Sequence, residues 1–507
     1  MSIPMKDQKK SGVLLSYLNI VLSMGVNIIL TPMLIAALSD DTYSLYKVMQ
    51  SLAGPLAIFN LGLATVATRC VARYQAAAQG NIKEKQNTLA MSLIVACAMS
   101  VLVLAAGLML MQAIPGIYGS NYSEAQIKIA KRVYFVFTVS AAINIVTDVF
   151  RGCIAGRERF AVDFGSRTMY FVLKLGLTVS CLKLGLGVLC VALIDLLINL
   201  VVLVFCTVYS VQVLQERPKL YFWDWRELRD VLTFTAAIIL QTIVNQTIYN
   251  VDLMILGAKV EEKYTITMYS SALSIYGVYN TMILVFSDVF FPQAVHMVEN
   301  EASSEKLLGL VVKAGRIQAT IAVGVLGGFG LFGRNFIELW IGSAYSNAYF
   351  VALILMLAVT IPLVQSVCIS ILDAKLKRMC RSVVLCMMAG LNVVATVYLV
   401  DIMGFWGAVL ATTLSLLIGH GLLMNIYYQK AIGLDVIRML REIFRGSLSA
   451  GIVAAVVCLP LALFVGNSWL LFLVKCLAFC GVYGGCLYLW GWNDQEKSQF
   501  KKLLKMH

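Results

Sequence analysis

Residues 88–111 read TLAMSLIVACAMSVLVLAAGLMLM and contain no charged side chain. As a helix rising 1.5 Å per residue, such a run crosses the roughly 30 Å of hydrocarbon in a bilayer. A transmembrane barrel strand needs only about ten residues and alternates polar with apolar, and this stretch does not alternate. Similar runs recur along all 507 residues, of which 60% are apolar and 13% charged, with a mean hydropathy of +0.84. A water-soluble fold of that composition has too little interior to hide its apolar surface.

The chain therefore reads as an all-α, polytopic membrane protein with about fourteen spans. They are Val13–Ala37, Ser44–Thr68, Thr88–Met111, Val133–Phe150, Thr168–Leu184, Leu186–Val211, Val231–Leu256, Thr265–Phe291, Leu310–Phe332, Ala348–Ile371, Ser382–Val400, Phe405–Tyr428, Ser447–Val465 and Trp469–Trp490. The first follows Lys9 and Lys10 in the manner of a signal peptide. It is too long for a signal h-region and passes Pro32 without a clean small-residue cleavage site, so it is kept as a span.

The net charge of +13 raises the question of nucleic acid, and the placement of the 40 Lys and Arg answers it. Counting from the N-terminus, with Lys183, Lys313 and Arg316 near span ends taken with the adjoining connections, every second connection holds 30 of them and the alternate connections hold 7; Lys47, Lys174 and Lys475 are the remaining three inside spans. By the positive-inside rule this asymmetry puts both termini and the basic loops in the cytoplasm and supports an even span count. The basic loops are short and interrupted by apolar helices, which argues against nucleic-acid binding. All seven Trp fall near span ends, where an aromatic belt places them.

The 13 Cys form no C-x-x-C pair and avoid the outer loops, so neither a disulfide framework nor a zinc site is expected. A P-loop and an H-E-x-x-H helix are both missing, and no cofactor is expected. Gly328, Gly330 and Gly333 match G-x-G-x-x-G, but no strand precedes them; close helix packing, with Gly324 and Gly328 in G-x-x-x-G spacing, is the better reading.

At an offset of 223, residues 20–66 align without gaps on 243–289 with ten identities, among them Asn27 with Asn250, Tyr46 with Tyr269, Ser51 with Ser274 and Gly54 with Gly277. Spans 1 and 2 then correspond to spans 7 and 8. Each repeat is six spans long, so both copies share one orientation about an axis along the membrane normal. The expected organisation is an N-terminal six-helix lobe over 1–220, a second over 221–430, and two additional helices and a tail over 431–507. Two like-oriented bundles facing each other leave a cleft that rocking exposes to either side, which favours a transporter over an enzyme.

Polar residues inside spans point to what lines that cleft. In span 7, Gln241, Asn245 and Asp252 share one face, flanked by Thr242, Gln246 and Asn250. In span 1, Ser16, Asn19, Ser23, Asn27 and Thr31 form a matching stripe, and the repeat places Asn19, Ser23 and Asn27 on Thr242, Gln246 and Asn250. The alternative for both stripes is hydrogen bonding between helices. Lys47 and Asp252, near the outer ends of spans 2 and 7, are placed to pair across the cleft, with snorkelling and a helix-end contact as the structural alternatives. Lys174 lies near the middle of span 5 with Asp195 of span 6 as its partner, in a structural or a substrate role. Asp288 lies toward the inner end of span 8, as a coupling group or a loop contact. Asp148 and Arg151, spaced i, i+3, satisfy each other, and Lys475 snorkels from a span end. Pro55 and Pro362 bend spans 2 and 10.

Pro32 with Tyr43, then Phe59-Asn60-Leu61-Gly62-Leu63-Ala64 running into Arg69-x-Val71-Ala72-Arg73-Tyr74, resembles the start of the Wzx-type polysaccharide flippases. These belong to the multidrug, oligosaccharidyl-lipid and polysaccharide exporter superfamily. Asp252-Leu253-Met254-Ile255-Leu256-Gly257, Tyr269, Phe291-Pro292 and Gly404-x-x-Gly407-Ala408 extend the resemblance over nearly the whole chain. It implies a V-shaped pair of six-helix lobes that moves an undecaprenyl-pyrophosphate-linked oligosaccharide, such as an O-antigen or exopolysaccharide repeat unit, from the inner to the outer leaflet of a bacterial cytoplasmic membrane. An anionic headgroup needs cations and sugars need amides and hydroxyls. Lys47 and Lys174 would serve the first, with Arg69 and Arg73 capturing the headgroup at the inner mouth, and the stripes of spans 1 and 7 would serve the second. A coupling ion, proton or sodium, would act through Asp252 or Asp288.

Two other readings compete. A drug or cation exporter of the same superfamily predicts an acid-rich cavity and usually twelve spans. A membrane-embedded glycosyltransferase or polymerase predicts long outer loops with catalytic charges, and the outer connections here are short.

Overall fold

The computed structural model describes residues 5–60, 62–76, 82–223, 250–375, 378–464 and 468–494, with isolated positions at 225, 229, 243, 246, 247, 466 and 496–498. Every regular element among them is helical. Nine described helices are long and apolar enough to cross a membrane, or twelve if each of three bent pairs is one span. Of the fourteen expected spans, Thr168–Leu184 lies in a helix that falls outside this set, and Val231–Leu256 lies for the most part outside the described residues.

The chain divides into two compact units, Met1–Thr267 and Met268–His507. The first holds α1 (Met5–Ala37), α2 (Asp40–Ala53), α3 (Leu63–Ala76), α4 (Ile82–Tyr118), α5 (Glu124–Gly156), α6 (Phe160–Lys183) and α7 (Val188–Val208). Ser39 starts α2 by accepting from the Thr42 amide, and Ser123 with Gln126 forms a capping box on α5. The Pro55 bend expected in span 2 is a 3-10 segment, Gly54–Asn60, that separates α2 from α3. Proline offers no amide donor to continue the α ladder there. The core joins Leu63, Val66 and Ala67 of α3 to Val95 and Val103 of α4 and Ile145 and Val149 of α5. Beyond α7, the fully buried Glu216 carboxylate binds Lys85 at 2.9 Å and also Arg157, while Asn87 Oδ1 accepts from the Tyr221 and Phe222 amides. The chain leaving α7 is thereby tied to the ends of α4 and α5.

The second unit contains most of α8 (Lys263–Glu299), then α9 (Ser304–Trp340), α10 (Ala348–Val364), α11 (Ser366–Ala374), α12 (Arg378–Met403), α13 (Phe405–Leu416), α14 (Met424–Ile432), α15 (Val436–Phe444), α16 (Ser447–Leu463) and α17 (Trp469–Cys486). α8 bends by 44° after Ser287, where Pro292 leaves the carbonyl four residues back without its helical donor. The expected bend in span 10 is the 40° break between α10, which contains Pro362, and α11.

α9 is the spine of this unit. Leu307, Val311 and Ala314 pack with Met439 and Ile443 of α15, and Val323 and Phe332 pack with Ala450, Ala454, Phe479 and Tyr483 of α16 and α17. A Cβ on Gly324 would lie 2.8 Å from the Tyr483 ring, so the glycine-rich run of α9 is a packing surface, as expected from its context. Lys475 departs from the expectation of snorkelling. It is 3% exposed and donates to the Phe464 carbonyl at 2.6 Å, because α16 ends there with a carbonyl that has no helical donor.

Arg316 of α9 clamps the C-terminal helices. Its guanidinium binds both Glu496 oxygens at 2.7 and 2.8 Å and donates to the carbonyls of Glu442, Arg445 and Gly491. Burial opposes ionisation of Glu496, and the Arg316 guanidinium outweighs it, holding the carboxyl below its ordinary value. A depressed folded-state pKa contributes stability above the unfolded value and loses it as pH falls through the folded one. Acidification below the ordinary carboxylate range is therefore expected to lower the melting temperature of the wild type more than that of Glu496→Gln. Parallel melting curves for the two across that range would remove Glu496 from the account.

Candidate functional site

Three helices of the first unit carry polar side chains at helical spacing toward one another. α5 supplies Ser140, Asn144, Asp148 and Arg151; α6 supplies Asp163, Arg167, Tyr170 and Lys174; α7 supplies Asp195 and Asn199. Steps of three and four residues keep each set on one face of its helix. Polar groups in an apolar bundle need partners, and the helices satisfy much of this demand among themselves. Asn199 donates to Ser140 Oγ at 2.6 Å. Lys174 Nζ lies 3.0 Å from Asp195 Oδ1, and the Tyr170 hydroxyl donates to the same oxygen at 3.1 Å. The expected pair between spans 5 and 6 is thus present, with side chains 18% and 9% exposed.

Beside this triad a cavity of about 270 Å³ opens, walled by α5, α6 and Asn199 of α7. Asp148 and Arg151 form the expected i, i+3 pair at 3.6 Å, and both line the cavity. Asp148 also accepts from Asn60 at the end of the 3-10 segment, which ties the break of span 2 to the cavity wall. Arg167, 45% exposed, lines another side while its Nε holds the buried Asp163 at 3.3 Å. Tyr170 and Phe171 bring aromatic rings, edge to face with centroids 5.4 Å apart. Two guanidiniums, one carboxylate, two amides and two rings form a surface able to bind hydroxyls, an anion and the apolar face of a sugar.

Sequence reasoning found Lys174 and its partner and passed over the cavity beside them. Placing the start of span 5 at Thr168 assigned Asp163 and Arg167 to a loop. The period that continues from Lys174 back through Tyr170 and Arg167 to Asp163 is the signal that identifies them as one helical face.

The other expected residues that are described do not line this cavity. Asn19 is buried and donates to the Phe164 carbonyl at 2.8 Å and to Thr168 Oγ1 at 3.0 Å, so its end of the span 1 stripe bonds α1 to α6. Asn27 is exposed and donates to its own helix at the Ser23 carbonyl. Lys47 is half-buried, with Nζ 5.6 Å from the centroid of the Tyr43 ring. Arg69 and Arg73 are exposed on α3. Asn250 donates to Gln246 Oε1 at 2.5 Å, and its amide lies 2.6 Å from where a Cβ on Gly54 would stand, so a larger residue there would push that side chain aside. Asp252 is buried. Gln241, Asn245 and the side chain of Asp288 lie outside the described residues.

The C-terminal end of span 7 packs within the first unit. Asn121 donates to the Ala258 carbonyl at 2.7 Å, and Lys263 Nζ sits 3.8 Å from the centroid of the Tyr122 ring.

The polysaccharide biosynthesis protein family matches residues 10–298. The fold is similar to that of the lipid II flippase MurJ in an inward closed conformation, with a TM-score of 0.73 at 13% identity over 94% of this chain and 97% of that one. It is also similar to the inward-facing conformation of a multidrug resistance MATE family transporter of the MOP superfamily, with a TM-score of 0.60 at 16% identity over 82% of this chain and 96% of the other. No curated protein matches the sequence.

Proposed function

This chain belongs to the polysaccharide biosynthesis protein family, and on that premise we propose that it is a flippase for an undecaprenyl-pyrophosphate-linked oligosaccharide. It is a multi-pass, all-helical membrane protein with the fold shared by flippases and exporters. In the proposed reaction the repeat unit of a surface polysaccharide passes from the inner to the outer leaflet of a bacterial cytoplasmic membrane by alternating access. Both termini stay on the cytoplasmic side. No covalent bond is made or broken; the protein lowers the cost of taking hydroxyls and phosphates through hydrocarbon by replacing their water with fixed polar groups.

The observation that carries the reading is the polar cavity of α5, α6 and α7 inside an apolar bundle. Its amides, rings and guanidiniums suit a glycan headgroup. The polar stripes, with Asn27, Gln241, Asn245, Gln246 and Asn250, would extend that path, and Lys47, Arg69 and Arg73 would meet the pyrophosphate. A proton or sodium gradient would drive the cycle through Asp252 or Asp288. A cation exporter is the poorer fit, because Arg151 and Arg167 outnumber Asp148 in the lining.

Deleting the gene in its host is expected to abolish surface glycan and to leave the lipid-linked unit in the inner leaflet, where an added glycosidase in inside-out vesicles digests it. Re-expression restores display. Normal display in the deletion strain, with no other gene of this family present, would overturn the assignment.

A further inference from the structure

The cavity carries more information than its polarity. At about 270 Å³ it lies at the lower end of the range for small-molecule pockets, about 300–1,000 Å³. That volume is enough for one sugar ring and too small to enclose a whole repeat unit. Two of its groups have hydrogen-bonding capacity unused among the described residues. Arg151 meets its Asp148 partner at only 3.6 Å, and the Asn144 amide lines the space with no bond to any other described side chain or carbonyl. A guanidinium so loosely paired has donors to spare, and an anionic acceptor is the group that uses them best.

We infer that this cavity is a subsite for a single pyranose residue bearing a carboxylate. The ring stacks its C–H face on Tyr170 or Phe171 and gives its hydroxyls to Asn144, Asn199 and Asp148; its carboxylate lies against Arg151 and Arg167. Asp148 argues for this ligand over the carrier's pyrophosphate. A carboxylate in the lining accepts from sugar hydroxyls and repels a compact polyanion, which also has no use for aromatic faces. The inference rests on the flippase reading for the origin of the sugar and predicts that the exported repeat unit contains a uronate-type residue. Its binding test needs no transport.

Full-length protein in nanodiscs is mixed in turn with glucuronate, glucose and inorganic pyrophosphate. Saturation-transfer difference NMR follows the sugars, and phosphorus line broadening follows the pyrophosphate. Glucuronate is expected to bind at least about tenfold more tightly than glucose, the worth of one charge-assisted hydrogen bond. Arg167→Gln, at a half-exposed position, should erase that preference. Asn144→Leu should weaken both sugars together and serves as a second variant should the first fail to fold. Equal binding of glucose and glucuronate by the wild type overturns the acidic specificity. Broadening of pyrophosphate alone reassigns the cavity to the carrier phosphate and overturns the sugar subsite, as does binding of none of the three. Glucuronate binding by a protein whose deletion leaves glycan display intact would keep the subsite and reject the flippase, so the two failures are distinguishable.

Discussion

Lys174→Ala is expected to lower stability by about 3 kcal/mol and to stop surface glycan display. Removing one member of a buried ion pair strands the other, at a cost of roughly 3–5 kcal/mol, and the 18% exposure of Lys174 places this case at the lower end. The stranded group is Asp195, which among the described residues keeps the Tyr170 hydroxyl. Because lost stability alone would reduce display, a second variant separates the two effects. Lys174→Met with Asp195→Asn removes both charges, keeps an acceptor for Tyr170, and should melt close to the wild type, since neutral replacements of buried pairs are often neutral or stabilising. Display should remain lost in this double variant if the charge is used by substrate. Full display at wild-type protein level would show that the pair serves packing alone. Wild-type melting of Lys174→Ala would show that the pair carries no stability either.

Arg316→Ala should have a comparable effect at the other end of the chain. The truncation removes a donor from three carbonyls at once and leaves the Glu496 carboxylate with the Asn493 amide. Each orphaned group that stays dry costs about 1–3 kcal/mol, so water entering the site sets the net loss at roughly 3–5 kcal/mol. The loss should be local, loosening α15, α16 and α17 from α9. Limited proteolysis is expected to cut near Arg445 and Gly446 in the variant before the rest of the chain is attacked. A digestion pattern identical to the wild type, with an unchanged melting temperature, would contradict the clamp. Arg316→Lys should rescue little, because one ammonium cannot reproduce a fork that meets five acceptors.

The repeat at offset 223 paired Asn27 with Asn250, and the structure gives the two different surroundings. Asn27 is exposed and bonds its own helix, while Asn250 is wedged against Gly54. Identity in sequence preserved the residue and not its contact. Lys475 teaches a related lesson: its distance from the span end suggested water, yet a nearer unsatisfied carbonyl accepted it. Asp148 and Arg151 were legible as a pair from spacing alone, because an i, i+3 contact is a property of one helix. Their place in a cavity wall was not, because it depends on which face α6 turns toward them.

Length and polarity of the apolar runs determined, without any structure, that the chain is helical and crosses a membrane many times, because hydrocarbon leaves the backbone no other way to satisfy itself. The breaks at Pro55 and beside Pro362 followed from the same one-dimensional physics. Only the tertiary structure decided that Asn144, Arg151, Arg167 and Asn199 share a cavity, that Asn19 is a bond between helices, and that Arg316 holds the last helices in place. Those outcomes depend on the rotation and depth of each helix against its neighbours, and packing between distant segments sets both.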